Sequence, residues 1–179
     1  SMVPVPMQLS SRNCEALEAG ARVINGKPLL NSVDGTKQSM DQILPIAAKY
    51  GACLIGKTSD DNGVPESPEE RLAIAERILE AALSHGIRKQ DLIIDCMAES
   101  AALRLGLAET TLRTVSLIKQ RLGLKTLLHI GDISKGMENR QRLNSVFLAA
   151  ALGAGLDCAV MDPAAEEMAD TIRAYKQVF

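Results

Sequence analysis

Aromatic residues are scarce, making up 2% of 179 positions, and tryptophan is absent. Leu, Ile, Val, Ala and Met must therefore fill the interior, and a hydrophobic content of 46% is enough for one well-buried core. No apolar run approaches the ~20 residues that span a bilayer as a helix, so no membrane partner is expected. No secretory leader is read at the start either, which makes a cytoplasmic protein the expectation. Neither sign of charge dominates: 20 Lys and Arg stand against 22 Asp and Glu, a net charge of -2. That balance argues against nucleic acid as a partner, because phosphate binding needs a concentrated basic face. Cys14, Cys53, Cys96 and Cys158 form no CxxC pair and sit in or beside apolar runs, so reduced thiols are expected. His85 and His129 have no Cys or His neighbours at ligand spacing, and no bound metal is expected. Neither a GxGxxG nor a P-loop pattern occurs, which removes the usual nucleotide-binding routes.

What the chain does contain is an alternation. Strand-like apolar runs fall at Val3–Leu9, Pro28–Val33, Ala52–Thr58, Asp91–Met97, Thr126–Ile130 and Cys158–Met161. Amphipathic helices are predicted over 12–23, 38–50, 68–86, 109–122, 139–154 and 164–177. Ser67-Pro68-Glu69-Glu70 supplies a capping serine, Pro at the first helical position and acids in the first turn. Asp162-Pro163 offers the same device before the last helix, with Asp162 as N-cap. His85-Gly86 and Leu122-Gly123 mark helix ends. Six βα units in succession imply an α/β protein with parallel strands and right-handed crossovers, either doubly wound or barrel-shaped.

The strand ends favour the barrel. Ser10, Asn31, Lys57, Asp95, Asp132 and Asp162 each stand at or just beyond the C-terminal end of a strand-like run. A (β/α)8 TIM-type barrel gathers those ends around one mouth. A doubly wound sheet would use only those at its switch point. The expected fold is thus of the TIM-barrel type but incomplete, with about six βα units, treated as one domain over residues 2–179.

The motifs carry a family resemblance. Leu29-Leu-Asn-Ser-Val-Asp-Gly35 resembles the "INS" strand of pterin-binding barrels, and Leu92-Ile-Ile-Asp95 their aspartate-bearing strand. Gly131-Asp-Ile-Ser-Lys-Gly-Met-Glu-Asn-Arg140, followed by Leu143-Asn144, resembles their strand-seven loop and the helix after it. Ala154-Gly-Leu-Asp-Cys-Ala-Val-Met-Asp-Pro163 resembles "AGLDAAIMDP". The chain is most similar to the methyltetrahydrofolate methyltransferase branch: corrinoid-protein methyltransferases and the folate module of cobalamin-dependent methionine synthase.

The resemblance implies an enzyme that binds a reduced folate, 5-methyltetrahydrofolate, at the strand ends. It would pass the N5 methyl group to the cobalt of a corrinoid (cobalamin) carried by a partner protein or domain. On that basis Asp95 would accept paired N–H bonds from the amino-pyrimidine and Asn31 would meet a mixed donor–acceptor edge. Ser10 would sit beside them. Asp132 would stand at N5 as the catalytic group, either as a proton donor or holding a protonated N5. Lys135 and Arg140 could meet the folate carboxylate tail.

Three departures accompany the match. The six units correspond to strands three to eight of the family barrel, leaving the first two unmatched. Ser10 replaces an aspartate, and Asp132 replaces an asparagine. Six strands leave open edges, so a homodimer or other oligomer is expected, with Pro4 and Pro6 blunting the first edge. The alternative from another class is a degenerate, non-catalytic relative that serves as a binding or interaction module.

Overall fold

The computed structural model describes residues 7–11, 13–104 and 106–179. The chain divides into two compact units, one formed by the chain up to Val64 together with Ala73–Asp95, the other by Pro65–Leu72 together with Cys96–Phe179.

The first unit holds β1 (Gln8–Ser10), α1 (Cys14–Val23), β2 (Leu29–Val33), α2 (Lys37–Lys49), β3 (Cys53–Lys57) and β4 (Leu92–Asp95). Helix α3 (Pro68–Ser84) gives its first turn to the second unit and the rest to the first. The four strands are parallel and adjacent in chain order. Leu30, Leu54 and Leu92 lie in register and are fully buried, the layer that drives this sheet's formation. Helix starts follow local chemistry: the Asn13 side chain accepts from the Ala16 amide, and Thr36 accepts from Ser39. Ser67 caps α3 as the sequence predicts, and Glu70 answers it: each side chain bonds the other's backbone amide. Just before β4, Asp91 accepts from Lys27 at 2.6 Å and Arg88 at 2.9 Å. Burial alone would raise the Asp91 carboxyl, but the two cations outweigh it and hold it below the usual range.

The second unit holds α4 (Leu107–Leu122), β5 (Lys125–His129), α5 (Arg140–Gly153), β6 (Cys158–Val160) and α6 (Glu166–Val178). Strands β5 and β6 are parallel, with Leu128 opposite Ala159. Helix α4 ends on Gly123 in the left-handed conformation, as the Leu122-Gly123 signal predicts. Asp157, one residue before β6, accepts from Lys119, Lys125 and the Thr126 amide and hydroxyl. It thereby ties the starts of β5 and β6 together. Burial pushes its carboxyl up, and the bonds from Lys119, Thr126 and Lys125 pull it below the ordinary value.

Observed elements track the predicted ones to within a few residues, with two exceptions. Strand β1 begins at Gln8, with Met7 outside the strand; residues 3–6 of the expected run, Pro4 and Pro6 among them, lie outside the described residues. The N-cap expected at Asp162 is not formed. Helix α6 starts at Glu166 with Ala165 in the cap position, because the Asp162 carboxylate accepts from Ala164 at 2.9 Å and closes a turn before the helix.

Candidate functional site

In the first unit the pleat decides which side chains share a face. A Cβ on Gly56 would lie 3.0 Å from Ile78 of α3, so Gly56 faces the helix. Its neighbours Ile55 and Lys57 must therefore face the opposite side. Register carries that face across the sheet: Asp95 lies beside Lys57, Asn31 beside Ile55, and Ser10 beside Asn31. The C-terminal ends of four adjacent strands thus present Ser10, Asn31, Lys57 and Asp95 on one face. A register shift between Asn31 and Val33 marks a bulge at the end of β2, a device that re-aims side chains next to binding sites.

The environments of these groups differ. Asp95 is 2% exposed, and its carbonyl accepts from the Thr58 amide at 3.1 Å and the Thr58 hydroxyl at 3.2 Å. Asn31 is 8% exposed, and among the described residues its side-chain amide has no hydrogen-bond partner. Lys57 is half-buried and has no ion pair among them. Ser10 is exposed.

In the second unit β5 runs into a single 3-10 turn, Ile130–Asp132. That turn, the end of β6 and the facing sides of α5 and α6 enclose a pocket of about 340 Å³. Asp132, His129, Asn144, Met161, Asp162 and Glu167 are among its lining residues. Lys135 and Arg140 are not. Arg140 instead braces the loop: its guanidinium donates to the Gly131 carbonyl at 2.9 Å and to the Ser134 hydroxyl at 3.2 Å. Ser134, fully buried, donates in turn to the Asn144 carboxamide oxygen at 2.7 Å. Lys135 is exposed, and its carbonyl accepts from Ser100. Thus Asn31, Asp95 and Ser10 come together on one face, Asp132 lines a pocket, and Lys135 and Arg140 lie apart from that pocket's lining.

One functional side chain escaped sequence reasoning. Arg71 is completely buried and donates to the carbonyls of Pro65, Cys96 and Met97 and to the Glu99 carboxylate, all between 2.8 and 3.0 Å. It fixes the loop that leaves Asp95, in which Met97 has a left-handed φ of 55° that non-glycine residues seldom adopt. Burial pulls the guanidinium's pKa down, while Glu99 opposes that shift. An arginine in the first turns of a helix gives no sign in sequence that it turns inward. Lys57 did give one: it lies two residues beyond Ile55, on the same face by simple alternation.

These features define an α/β protein whose parallel strands gather polar side chains at their C-terminal ends, the place where barrel enzymes put their sites. The comparison with known proteins narrows the class. A family described as pterin binding enzyme matches residues 1–162, and the chain belongs to that family. Methionine synthase of Mycobacterium leprae (strain TN) is 31% identical over 170 residues, covering 88% of this chain and 14% of that protein. Methylcorrinoid:tetrahydrofolate methyltransferase of Eubacterium limosum is 26% identical over 95% of this chain and 64% of its own length. The chain therefore spans about a seventh of the first relative and under two thirds of the second. A crystal structure of dihydropteroate synthase from Stenotrophomonas maltophilia shares the fold with a TM-score of 0.74 at 17% identity, over 98% of this chain and 70% of that one. The expected partial TIM-type barrel fold is borne out by that match. Among the described residues, no helix is long and apolar enough to cross a membrane.

Proposed function

We propose that the chain binds a reduced folate, 5-methyltetrahydrofolate, and takes part in moving its N5 methyl group to a corrinoid carried by a partner protein or domain. The observation that carries the binding half is Asn31: a largely buried residue whose carboxamide has no side-chain partner among the described residues and lies on the same face as Asp95. A carboxamide open at a strand end, on the same face as a carboxylate, offers a donor and an acceptor to a ligand. A reduced pterin offers what the face lacks, adjacent N–H donors for a carboxylate and a mixed edge for an amide. Ser10 can contribute a hydroxyl bond but not a charged clasp, a loss of roughly 1.5–3 kcal/mol.

Methyl transfer needs a better leaving group at N5, since a neutral tertiary amine departs poorly. The family resemblance gives that role to Asp132, and no side-chain bond to it occurs among the described residues. It could supply the proton or hold a protonated N5. The corrinoid supplies the nucleophilic metal that accepts the methyl group.

Calorimetric titration of the chain with 5-methyltetrahydrofolate, beside an Asp95→Ala variant, tests the binding half. Micromolar binding lost in the variant is the expected result; no binding by folded wild-type protein overturns it. A methyl-transfer assay with an added corrinoid protein tests the rest, with Asp132→Ala expected to lose transfer while retaining folate. Binding without transfer in the wild type would instead assign the chain to the non-catalytic class.

A further inference from the structure

Lys57 has no role in the reading above, yet it occupies the centre of the strand-end face. Its Cα lies in register with that of Asp95 on the neighbouring strand, and both side chains emerge on the face opposite Gly56 and α3. Neighbouring strands are about 4.8 Å apart. A lysine ammonium carries three donors and no acceptor, so an acceptor on a ligand is its natural complement. Among the described residues the Lys57 side chain has neither ion pair nor hydrogen bond, although carboxylates are plentiful in the chain.

We propose that Lys57 is a specificity-determining residue of this face: its ammonium donates to a ring-carbonyl oxygen beside the amino-pyrimidine edge taken by Asp95. The inference rests on the pterin reading of the site and extends it. The amino group and ring N–H of a pterin are donors and match a carboxylate. The next atom along that edge is the carbonyl oxygen, an acceptor, and the next strand along this sheet supplies a cation. An analogue with an amino group in place of that carbonyl would present donors to an ammonium. The site would therefore select oxo-pterins over their diamino counterparts, by refusing a donor as much as by satisfying an acceptor.

The test is calorimetric titration of the full chain with tetrahydropterin and with the analogue whose ring carbonyl is replaced by an amino group. Wild type, Lys57→Met and Asp95→Ala would be compared, with thermal unfolding recorded for each. The wild type should prefer the oxo compound by about tenfold or more, the scale of one charge-assisted hydrogen bond. Lys57→Met should lose most of that preference without a change in unfolding temperature, and Lys57→Arg should retain part of it. A preference that survives in Lys57→Met, or a variant that weakens both compounds equally, overturns the proposal. Wild-type binding that depends on Asp95 but shows no preference removes only the role of Lys57. Absence of binding to either compound removes the pterin reading and this inference together.

Discussion

The two units finish their strands in opposite ways. In the first, the strand ends carry an amide and an ammonium, Asn31 and Lys57, that have no side-chain partners among the described residues. In the second, the groups beyond β5 are bound to one another: Arg140 to Gly131 and Ser134, and Ser134 to Asn144. Polar groups engaged within the chain hold a loop in shape, whereas those left open keep their hydrogen-bonding capacity for a ligand. Similar residue types are thus bound to one another in one unit and open at the strand ends of the other.

Substitutions can break or sharpen that contrast, and their expected effects on stability run from large to negligible. Arg71→Met should be the most damaging, at about 3 kcal/mol or more, because three carbonyls, one buried and two part-buried, and the Glu99 carboxylate lose their donor at once. Urea unfolding would show it. Arg71→Lys should recover only part, since an ammonium cannot span the planar fork.

Asp157→Asn should cost about 1.5–3 kcal/mol near neutral pH by weakening its bonds to Lys119, Lys125 and Thr126. The sign of its pH dependence is fixed by a carboxyl held below its unfolded value. The stabilisation is complete above the unfolded aspartate pKa of about 3.9 and disappears as pH falls through the lower folded value. The gap between wild type and variant in thermal unfolding should therefore close in acid. A gap that persists there would remove the charge from the explanation.

Ser134→Ala should cost about 1 kcal/mol, since the Asn144 oxygen and the Arg140 guanidinium both lose a partner. Asn31→Ala should sit at the far end of the series, within about 0.5 kcal/mol of wild type, while folate affinity falls at least tenfold. A large loss of stability in Asn31→Ala would show that its amide serves the fold, and the contrast between the units would collapse.

The alternation of strand and helix was legible because each element carries its own period and its own caps. Ser67-Pro68, Asn13 and Gly123 act locally, so their neighbours in sequence are their neighbours in space. The Asp162 cap was misjudged for a local reason too: an Asp-Pro pair can close a turn as readily as open a helix, and here the turn won. The candidate site was legible only as far as strand ends could be located. Asp95, Asn31 and Asp132 stood out through the family motifs, and Lys57 followed from alternation. Arg71 did not stand out, because its acceptors come from residues 65, 96, 97 and 99, and nothing in a one-dimensional pattern joins them.

The order in which the chain visits its units has a consequence for how the protein can be divided. Pro65–Leu72 belongs with Cys96–Phe179, yet Ala73–Asp95 intervenes and belongs to the other unit. A gene cut after Asp95 would yield a fragment that keeps the carbonyls of Cys96 and Met97 but leaves Arg71 on the other piece. No single crossover in that region hands over both units whole. A cut after Asp95 keeps the first unit whole and breaks the second, and a cut after Val64 does the reverse.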